Sequence, residues 1–260
     1  EAVKAIKEEI TAQAKAFGTD TSVGEVGAKS TNFTSLMHNC IEQGLLAQKA
    51  DATVQEAISS LNRGEKPVIA VANTMGSFIK TYADAHDLNH GDDISLSFGD
   101  LLERYLERSR DVLIRDYRAQ SNRHRLTDDE LGTIGVRAYE DALECIREGD
   151  FYSIPISPID YIAQQLERAG YQVAEVTGRK VGLAYSADGA ATYKVRPPQE
   201  TTAKGKINAV AEFNTGEADV ILLNCSGSTG ISLHASEKFA DQRPRHMIVA
   251  QAERDINVFM

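Results

Sequence analysis

The densest group of side chains that could bind a ligand is a run of small and hydroxyl residues near the end of the chain. It directly follows Ala218–Asn224, an apolar segment with the composition of a buried strand. Gly227 and Gly230 would let the backbone approach a ligand closely. The accompanying hydroxyl donors are Ser226, Ser228, Thr229 and Ser232. Backbone N–H groups at such a turn can hold an anion, although a tight turn whose hydroxyls cap a helix is the interpretation that turn chemistry alone favours.

Two common phosphate-binding motifs are missing from this segment. A Walker A loop needs a Lys after its last Gly, and the GxGxxG fingerprint of dinucleotide-binding folds is also absent. Elsewhere, His234 has no second ligand in register, so a surface histidine is favoured over a metal ligand. The basic run at 123–125 could contact phosphate, but a solvated surface balanced by nearby acids is the favoured interpretation.

The composition limits the classes of function. A formal net charge of -10 argues against a broad basic face that coats nucleic acid, so any nucleic-acid contact must be local. Three widely spaced cysteines argue against disulfides and zinc and favour a cytoplasmic location. No apolar run approaches the roughly 18 residues of a membrane span. Because the chain begins at Glu1 without an initiator Met, we expect it to be part of a longer protein.

The alternation of apolar runs predicts an α/β fold, with a parallel sheet covered by helices. Strands are expected at 67–72, 171–176, 218–224 and 246–250, helices at 75–85, 157–169 and 204–213, and a hairpin around Asp188-Gly189. The sheet would belong to a lobe made of residues 66–85 and 151–260. Residues 1–65 are interpreted as an N-terminal helical extension, with separate helices at 32–48 and 53–61. Residues 86–150 are interpreted as a helical insertion without strands, in which Thr127 and Glu130 form a capping box.

These segments together resemble a helicase family. Ala218–Ser236 resembles motif V of superfamily 2 helicases, and in particular the C-terminal lobe of strawberry-notch-like proteins, whose bacterial and phage relatives are often described as helicases or methylases. Pro67–Thr74 resembles motif IV, residues 157–160 and 170–179 resemble the next conserved strand region, and 243–260 resembles the approach to motif VI. The resemblance implies a RecA-like lobe, the second in a helicase motor.

The resemblance also assigns roles to residues by their place in the family's motifs. Contacts to the nucleic-acid backbone are implied for Asn73, Thr74, Thr177, Gly178, Arg179, Ser226, Gly227, Ser228, Thr229, Gly230 and Ser232. Coupling to ATP between the lobes is implied for Gly230, Arg243 and Arg245. Hydroxyl and N–H groups hold phosphates without reading bases, which suits a motor that passes over any sequence. Salt bridges between the lobes explain the two arginines equally well.

The implied partners are nucleic acid and the first RecA-like lobe of the same parent chain. DNA is the expected nucleic acid, although these residues do not distinguish it from RNA. The first lobe would bind ATP and Mg²⁺. Neither its P-loop nor the motif VI arginines that stabilise the transferring phosphoryl group occur in this sequence. No catalytic residue, metal site, tightly bound cofactor or membrane contact is therefore expected here, and the fragment alone should neither hydrolyse ATP nor unwind a duplex.

Two other classes of function stay open. Helicases of this type are often fused to an adenine-specific DNA methyltransferase. Here Pro197-Pro198 lacks the acid or amide before it and the aromatic residue after it that the methyltransferase motif requires. The parent protein could still carry that activity elsewhere. The third class is a non-catalytic α/β module that binds a protein partner, which the acidic charge suits better than it suits DNA binding.

Overall fold

Two compact units make up the described part of the chain. The computed structural model describes residues 28–30, 33–115, 121–151, 154–187, 189–224 and 230–252, with side chains described from 41 onward except at 112–115 and 121–123. The first unit contains the described residues up to Ile41 and from Ser97 to Ile154, and the second contains those from Glu42 to Leu96 and from Pro155 onward. No helix in these ranges is both long and apolar enough to cross a membrane.

The described secondary structure follows the predicted alternation. The helices are α1 (Phe33–Asn62), α2 (Gly76–Ala85), α3 (Phe98–Arg108), α4 (Asp128–Glu148), α5 (Pro158–Arg168), α6 (Pro198–Thr201) and α7 (Ala203–Thr215). The strands are β1 (Ala28–Ser30), β2 (Lys66–Val71), β3 (Asp111–Arg115), β4 (Ser121–Arg125), β5 (Val173–Val176), β6 (Val181–Tyr185), β7 (Ala191–Val195), β8 (Val220–Asn224) and β9 (Arg245–Val249). The hairpin is confirmed as β6–β7, although Asp188 of its turn lies outside the described residues.

The second unit is built on a four-stranded parallel sheet in the order β5-β8-β2-β9. Val68 of β2 lies opposite Ile221 of β8 on one side and Met247 of β9 on the other. Both β2 and β8 are nearly continuous buried apolar runs, as expected when helices cover both faces of a parallel sheet. All four strands end at one edge of the sheet, the carboxyl edge, and begin at the opposite amino edge.

Alternate residues of the central strands pack against helices on opposite faces. One face carries Ile69, Val71, Val220 and Leu222, which pack with buried side chains of α1 and α5 such as Leu46 and Ile162. The other face carries Val68, Ala70, Ile221 and Leu223, which pack with Phe213 of α7. Full burial of a large apolar side chain stabilises a fold by about 1.5–3 kcal/mol. The three layers confirm the predicted RecA-like α/β lobe.

The first unit corrects the prediction of an insertion without strands. Both α3 and α4 are present, and α4 begins at the predicted capping box of Thr127 and Glu130. Between these helices, however, β3 and β4 form an antiparallel hairpin that also pairs with β1. Val112 and Leu113 continue the helical spacing of α3, but pairing with distant residues decides the conformation of a short segment. In the same way, α1 is one helix over Phe33–Asn62 where two were predicted.

Candidate nucleic-acid interface

Three neighbouring strands that are each followed by predicted nucleic-acid contacts end at the carboxyl edge. These strands, β5, β8 and β2, end at Val176, Asn224 and Val71. Thr177, Gly178 and Arg179 follow β5, and Asn73 and Thr74 follow β2 shortly after its end. Ligands of open parallel sheets bind at this edge. The contacts implied for Ser226, Gly227, Ser228 and Thr229, after β8, lie outside the described residues and stay predictions.

The turn after β2 is held by two buried glutamine side chains. Gln251, just beyond β9, accepts hydrogen bonds at Oε1 from the backbone N–H groups of Ala72 and Asn73, at 3.2 and 3.0 Å. Gln43 of α1 donates from Nε2 to the Asn73 carbonyl oxygen at 3.4 Å. Asn73 itself is exposed and Thr74 is half-buried. Sequence reasoning missed both glutamines, because no motif marks a side chain whose partners are distant backbone groups.

The loop after β5 carries a buried ion-pair network, here called the Arg179 network. Arg179 pairs with Asp160 of α5 at 2.7 Å (Nη1 to Oδ2) and with Glu175 of β5 at 2.6 Å (Nη2 to Oε2). Arg196 pairs with Glu175 at 2.7 Å, and Thr177 donates its hydroxyl to the same carboxylate. Arg179, Asp160 and Thr177 are each less than one-tenth exposed. The network therefore joins α5, β5 and the loops after β5 and β7.

Two glycines make room for Arg179. A β-carbon at Gly76, the first residue of α2, would lie 2.7 Å from the β-carbon of Arg179. A β-carbon at Gly182 of β6 would lie 2.8 Å from both carboxylate oxygens of Asp160. Side chains at either position would overlap the close-packed network. The position of the Arg179 network thus depends on residues far apart in the sequence.

The electrostatics of the network keep the Glu175 carboxylate ionised. Burial alone would raise the pKa of Glu175, but the nearby charges of Arg179 and Arg196 outweigh it and lower the pKa to about 2. Burial lowers the pKa of Arg179, but Asp160 and Glu175 outweigh that effect and raise it overall. The structure therefore gives Thr177 and Arg179 an internal role, and their contact with nucleic acid would require the network to open. Gly178, between them, is exposed.

The depressed pKa of Glu175 predicts a loss of stability in acid. Its pKa is about 2 in the folded chain against an ordinary 4.5, so the stabilisation is complete above pH 4.5 and is lost as the pH falls towards 2. The shift corresponds to on the order of 3 kcal/mol. We expect Glu175→Gln to be less stable at pH 7 and to lose less further stability between pH 5 and 2.5, as measured by urea denaturation. Equal losses in the two proteins would contradict this assignment.

The end of the motif V segment runs away from the carboxyl edge. Gly230 is exposed, with φ of 78°. The Ser232 carbonyl oxygen accepts a hydrogen bond from Asn214 Nδ2 at 2.9 Å, near the end of α7. The next residue, Leu233, accepts at its carbonyl oxygen from Arg245 Nε at 2.9 Å, beside the start of β9. Ser232 therefore lies near the amino edge, and the structure does not bring it to the other predicted contact residues.

Arg243 and Arg245 lie at the amino edge, in a cluster centred on Asp241. Arg245 opens β9 and is in register with Lys66, the first residue of β2. Asp241 pairs with Lys66 Nζ at 2.9 Å, Arg243 Nη2 at 2.6 Å and Arg245 Nη1 at 3.7 Å. Lys66 is fully buried, and its ammonium lies 4.3 Å from the ring centre of Phe213. These two arginines are thus engaged within this unit, at the edge opposite to Asn73.

Burial and charge act against each other in this Asp241 cluster. Burial alone would raise the pKa of Asp241, but hydrogen bonds from Arg243 and Lys66 hold the pKa well below its ordinary value. Burial lowers the pKa of Lys66, and the ion pair with Asp241 offsets this only in part. The ionised carboxylate therefore compensates a buried ammonium. Interlobe coupling by Arg243 and Arg245 stays a prediction.

The remaining candidates have ordinary surroundings. His124 Nε2 lies 3.0 Å from the Glu130 carboxylate, and Arg125 pairs with Asp111 at 3.0 Å, so this part of the basic run is balanced by acids as expected. His234 is exposed, with its ring centre 5.3 Å from that of Phe239. Within the described ranges, no three His, Cys, Asp or Glu side chains gather closely enough to hold a metal ion.

Comparison with known protein families identifies the lobe. Residues 157–256 match the family described as the C-terminal domain on Strawberry notch homologue. This segment is a helicase C-terminal domain of the Strawberry notch type. No curated protein and no solved structure matches the chain significantly.

The Strawberry notch domain is completed by a strand from outside the matched segment. The match includes α5, the hairpin β6–β7, α7 and the strands β5, β8 and β9, but it leaves out β2. The structure places β2 between β8 and β9. The start of the Pro67–Thr74 segment, which resembles motif IV, lies in β2 and therefore belongs to the same sheet. The family resemblance of the motif V segment is confirmed.

Proposed function

We propose that this helicase domain is the second motor lobe of an ATP-dependent helicase or translocase, and that its carboxyl edge contacts the backbone of nucleic acid, expected to be DNA. The observation that carries the proposal is the position of the exits of β5, β8 and β2 at one edge of the sheet. These three strands come from segments far apart in the sequence, and parallel pairing places their carboxyl ends side by side.

The chemistry of this edge supports a grip that does not read sequence. Exposed Asn73, exposed Gly178 and the hydroxyl-rich residues after β8 offer amide, backbone N–H and hydroxyl groups, which bind phosphate and sugar oxygens of any sequence. The net charge of -10 requires that such contacts be few and local. A weak, sequence-independent grip suits a lobe that must release and rebind its track in each cycle.

We place ATP and Mg²⁺ mainly in a first RecA-like lobe of a longer parent chain. In this structure the side chains of Arg243 and Arg245 pair with Asp241. We expect no nucleic-acid-stimulated ATP hydrolysis by this chain alone. An interlobe role for Arg243 and Arg245 would require them to leave the Asp241 cluster.

The proposal predicts weak, salt-dependent binding of single strands. Fluorescence anisotropy with a labelled oligothymidine should show affinity that falls as salt rises, with a logarithmic slope of about -0.7 for each phosphate whose charge is neutralised by a Lys or Arg side chain. Asn73→Ala should weaken binding roughly threefold to tenfold, which corresponds to the loss of one ordinary hydrogen bond. Asn208→Ala, at an exposed asparagine of α7, is the matched control and should bind as the unaltered chain does. Absent binding, or binding that is independent of salt, would refute the proposal.

A further inference from the structure

Gln251 joins the exit of β9 to the turn after β2 through both its backbone and its side chain. The backbone N–H groups of Ala250 and Gln251 donate to the Ala70 carbonyl oxygen at 3.0 and 3.3 Å. In return, the N–H groups of Ala72 and Asn73 donate to Gln251 Oε1. Two backbone donors on one end of the amide identify that end as the oxygen. The two segments are therefore tied by hydrogen bonds in both directions.

Burial of the Gln251 side chain satisfies only one end of its amide. Gln251 is 3% exposed, and Gln43, which holds the same turn from α1, is 2% exposed. Gln251 Nε2 has no hydrogen-bond acceptor among the described residues. A buried donor without a partner is unfavourable, and an apolar side chain of similar size would avoid it. An apolar side chain, however, could not supply the oxygen that accepts hydrogen bonds from the turn after β2.

We propose, on the basis of the proposed function, that Gln251 is a positioning residue for nucleic-acid binding. It holds the Ala72–Asn73 turn in the conformation that presents Asn73 at the carboxyl edge. Without the Gln251 oxygen, two backbone N–H groups of the turn lose their acceptor, which favours other conformations in which they are hydrogen-bonded. Asn73 then samples other positions, and the nucleic acid must order the turn again when it binds.

The first test measures the turn without any nucleic acid. Gln251→Met removes the acceptor at nearly constant volume, whereas Gln251→Glu keeps an oxygen in place of Oε1. Amide hydrogen exchange at Ala72 and Asn73 should become at least tenfold faster in Gln251→Met and return towards the original rate in Gln251→Glu. Unchanged exchange in Gln251→Met would overturn the inference.

The second test measures binding of a labelled oligothymidine by the whole chain. Gln251→Met should weaken binding about tenfold, although the substituted residue is not a predicted contact. The matched control is Gln164→Met, because Gln164 also bridges two backbone groups, donating to the Leu183 carbonyl oxygen at 2.9 Å and accepting from the Tyr185 N–H at 2.8 Å. Gln164→Met affects the β6–β7 hairpin and not the Ala72–Asn73 turn. Its affinity for oligothymidine should therefore stay unchanged at a temperature where both variants are folded.

The outcomes separate the inference from the function on which it depends. Faster exchange together with a loss of affinity confined to Gln251→Met would support it. Equal affinities of Gln251→Met and Gln164→Met would overturn it while leaving the proposed function in place. An unaltered chain that binds no oligothymidine would refute the proposed function, and the positioning role would fall with it.

Discussion

Replacing Asp241 by Asn is expected to destabilise the chain by about 3–5 kcal/mol, the usual result of removing one partner from a buried ion pair. Asp241 is the carboxylate shared by Lys66, Arg243 and Arg245, and Lys66 is fully buried. An Asn keeps the shape of the side chain but loses its charge. The Lys66 ammonium would then stay charged without compensation or give up its proton, and both outcomes cost stability.

A double variant tests whether the buried charge is the cause. In Lys66→Met/Asp241→Asn, an apolar side chain replaces the ammonium, so we expect the double variant to be more stable than Asp241→Asn alone in urea denaturation followed by circular dichroism. Asp84→Asn is the matched control, because it breaks an exposed pair with Lys80, whose atoms lie 2.7 Å apart. The control should change stability little. If the double variant is no more stable than the single one, the assignment is wrong.

Arg179→Met is expected to cost a similar 3–5 kcal/mol, because it leaves Asp160 and Glu175 buried without the cation between them. Asp160 keeps hydrogen bonds from the Ser157 hydroxyl and the Leu183 N–H, and Glu175 keeps Arg196. These contacts limit the loss but do not replace the shared guanidinium. Arg179→Lys should recover only part of the stability, since a single ammonium cannot bind both carboxylates in the planar arrangement of Arg.

The same variant distinguishes the two roles open to Arg179. As an internal residue, its replacement lowers the free energy of unfolding. As a direct phosphate contact, its replacement would lower oligothymidine affinity and its salt dependence at unchanged stability. The matched control is Arg63→Met, since Arg63 also pairs with two carboxylates, those of Glu56 and Glu65, but on the surface. We expect little change in the control, and full stability of Arg179→Met with reduced affinity would assign the residue to nucleic-acid contact.

The sequence by itself was sufficient to predict the strands and helices of the helicase lobe. Continuous apolar runs such as Val68–Val71 and Val220–Leu223 mark strands buried on both faces, and the amphipathic segments between them mark the covering helices. These patterns are local, so they can be recognised in the sequence before it is known which segments pack together. Parallel pairing then places the ends of β5, β8 and β2 at one edge. The contact role of Asn73, by contrast, was implied by the resemblance to motif IV, and it stays a prediction.

Only the tertiary structure decided what the charged residues of these loops do. Arg179 follows a strand, as a phosphate ligand of this fold would, yet Asp160 from α5 and Glu175 bury it in an ion-pair network. Arg245 follows the motif V segment in sequence but opens β9 at the amino edge. Whether a guanidinium meets phosphate or carboxylate depends on groups that distant segments bring near it, and hydrophobic periodicity carries no information about those groups. The role of Gln251 could not be predicted from the sequence for the same reason, because it depends on two backbone N–H groups that the sheet places beside its side chain.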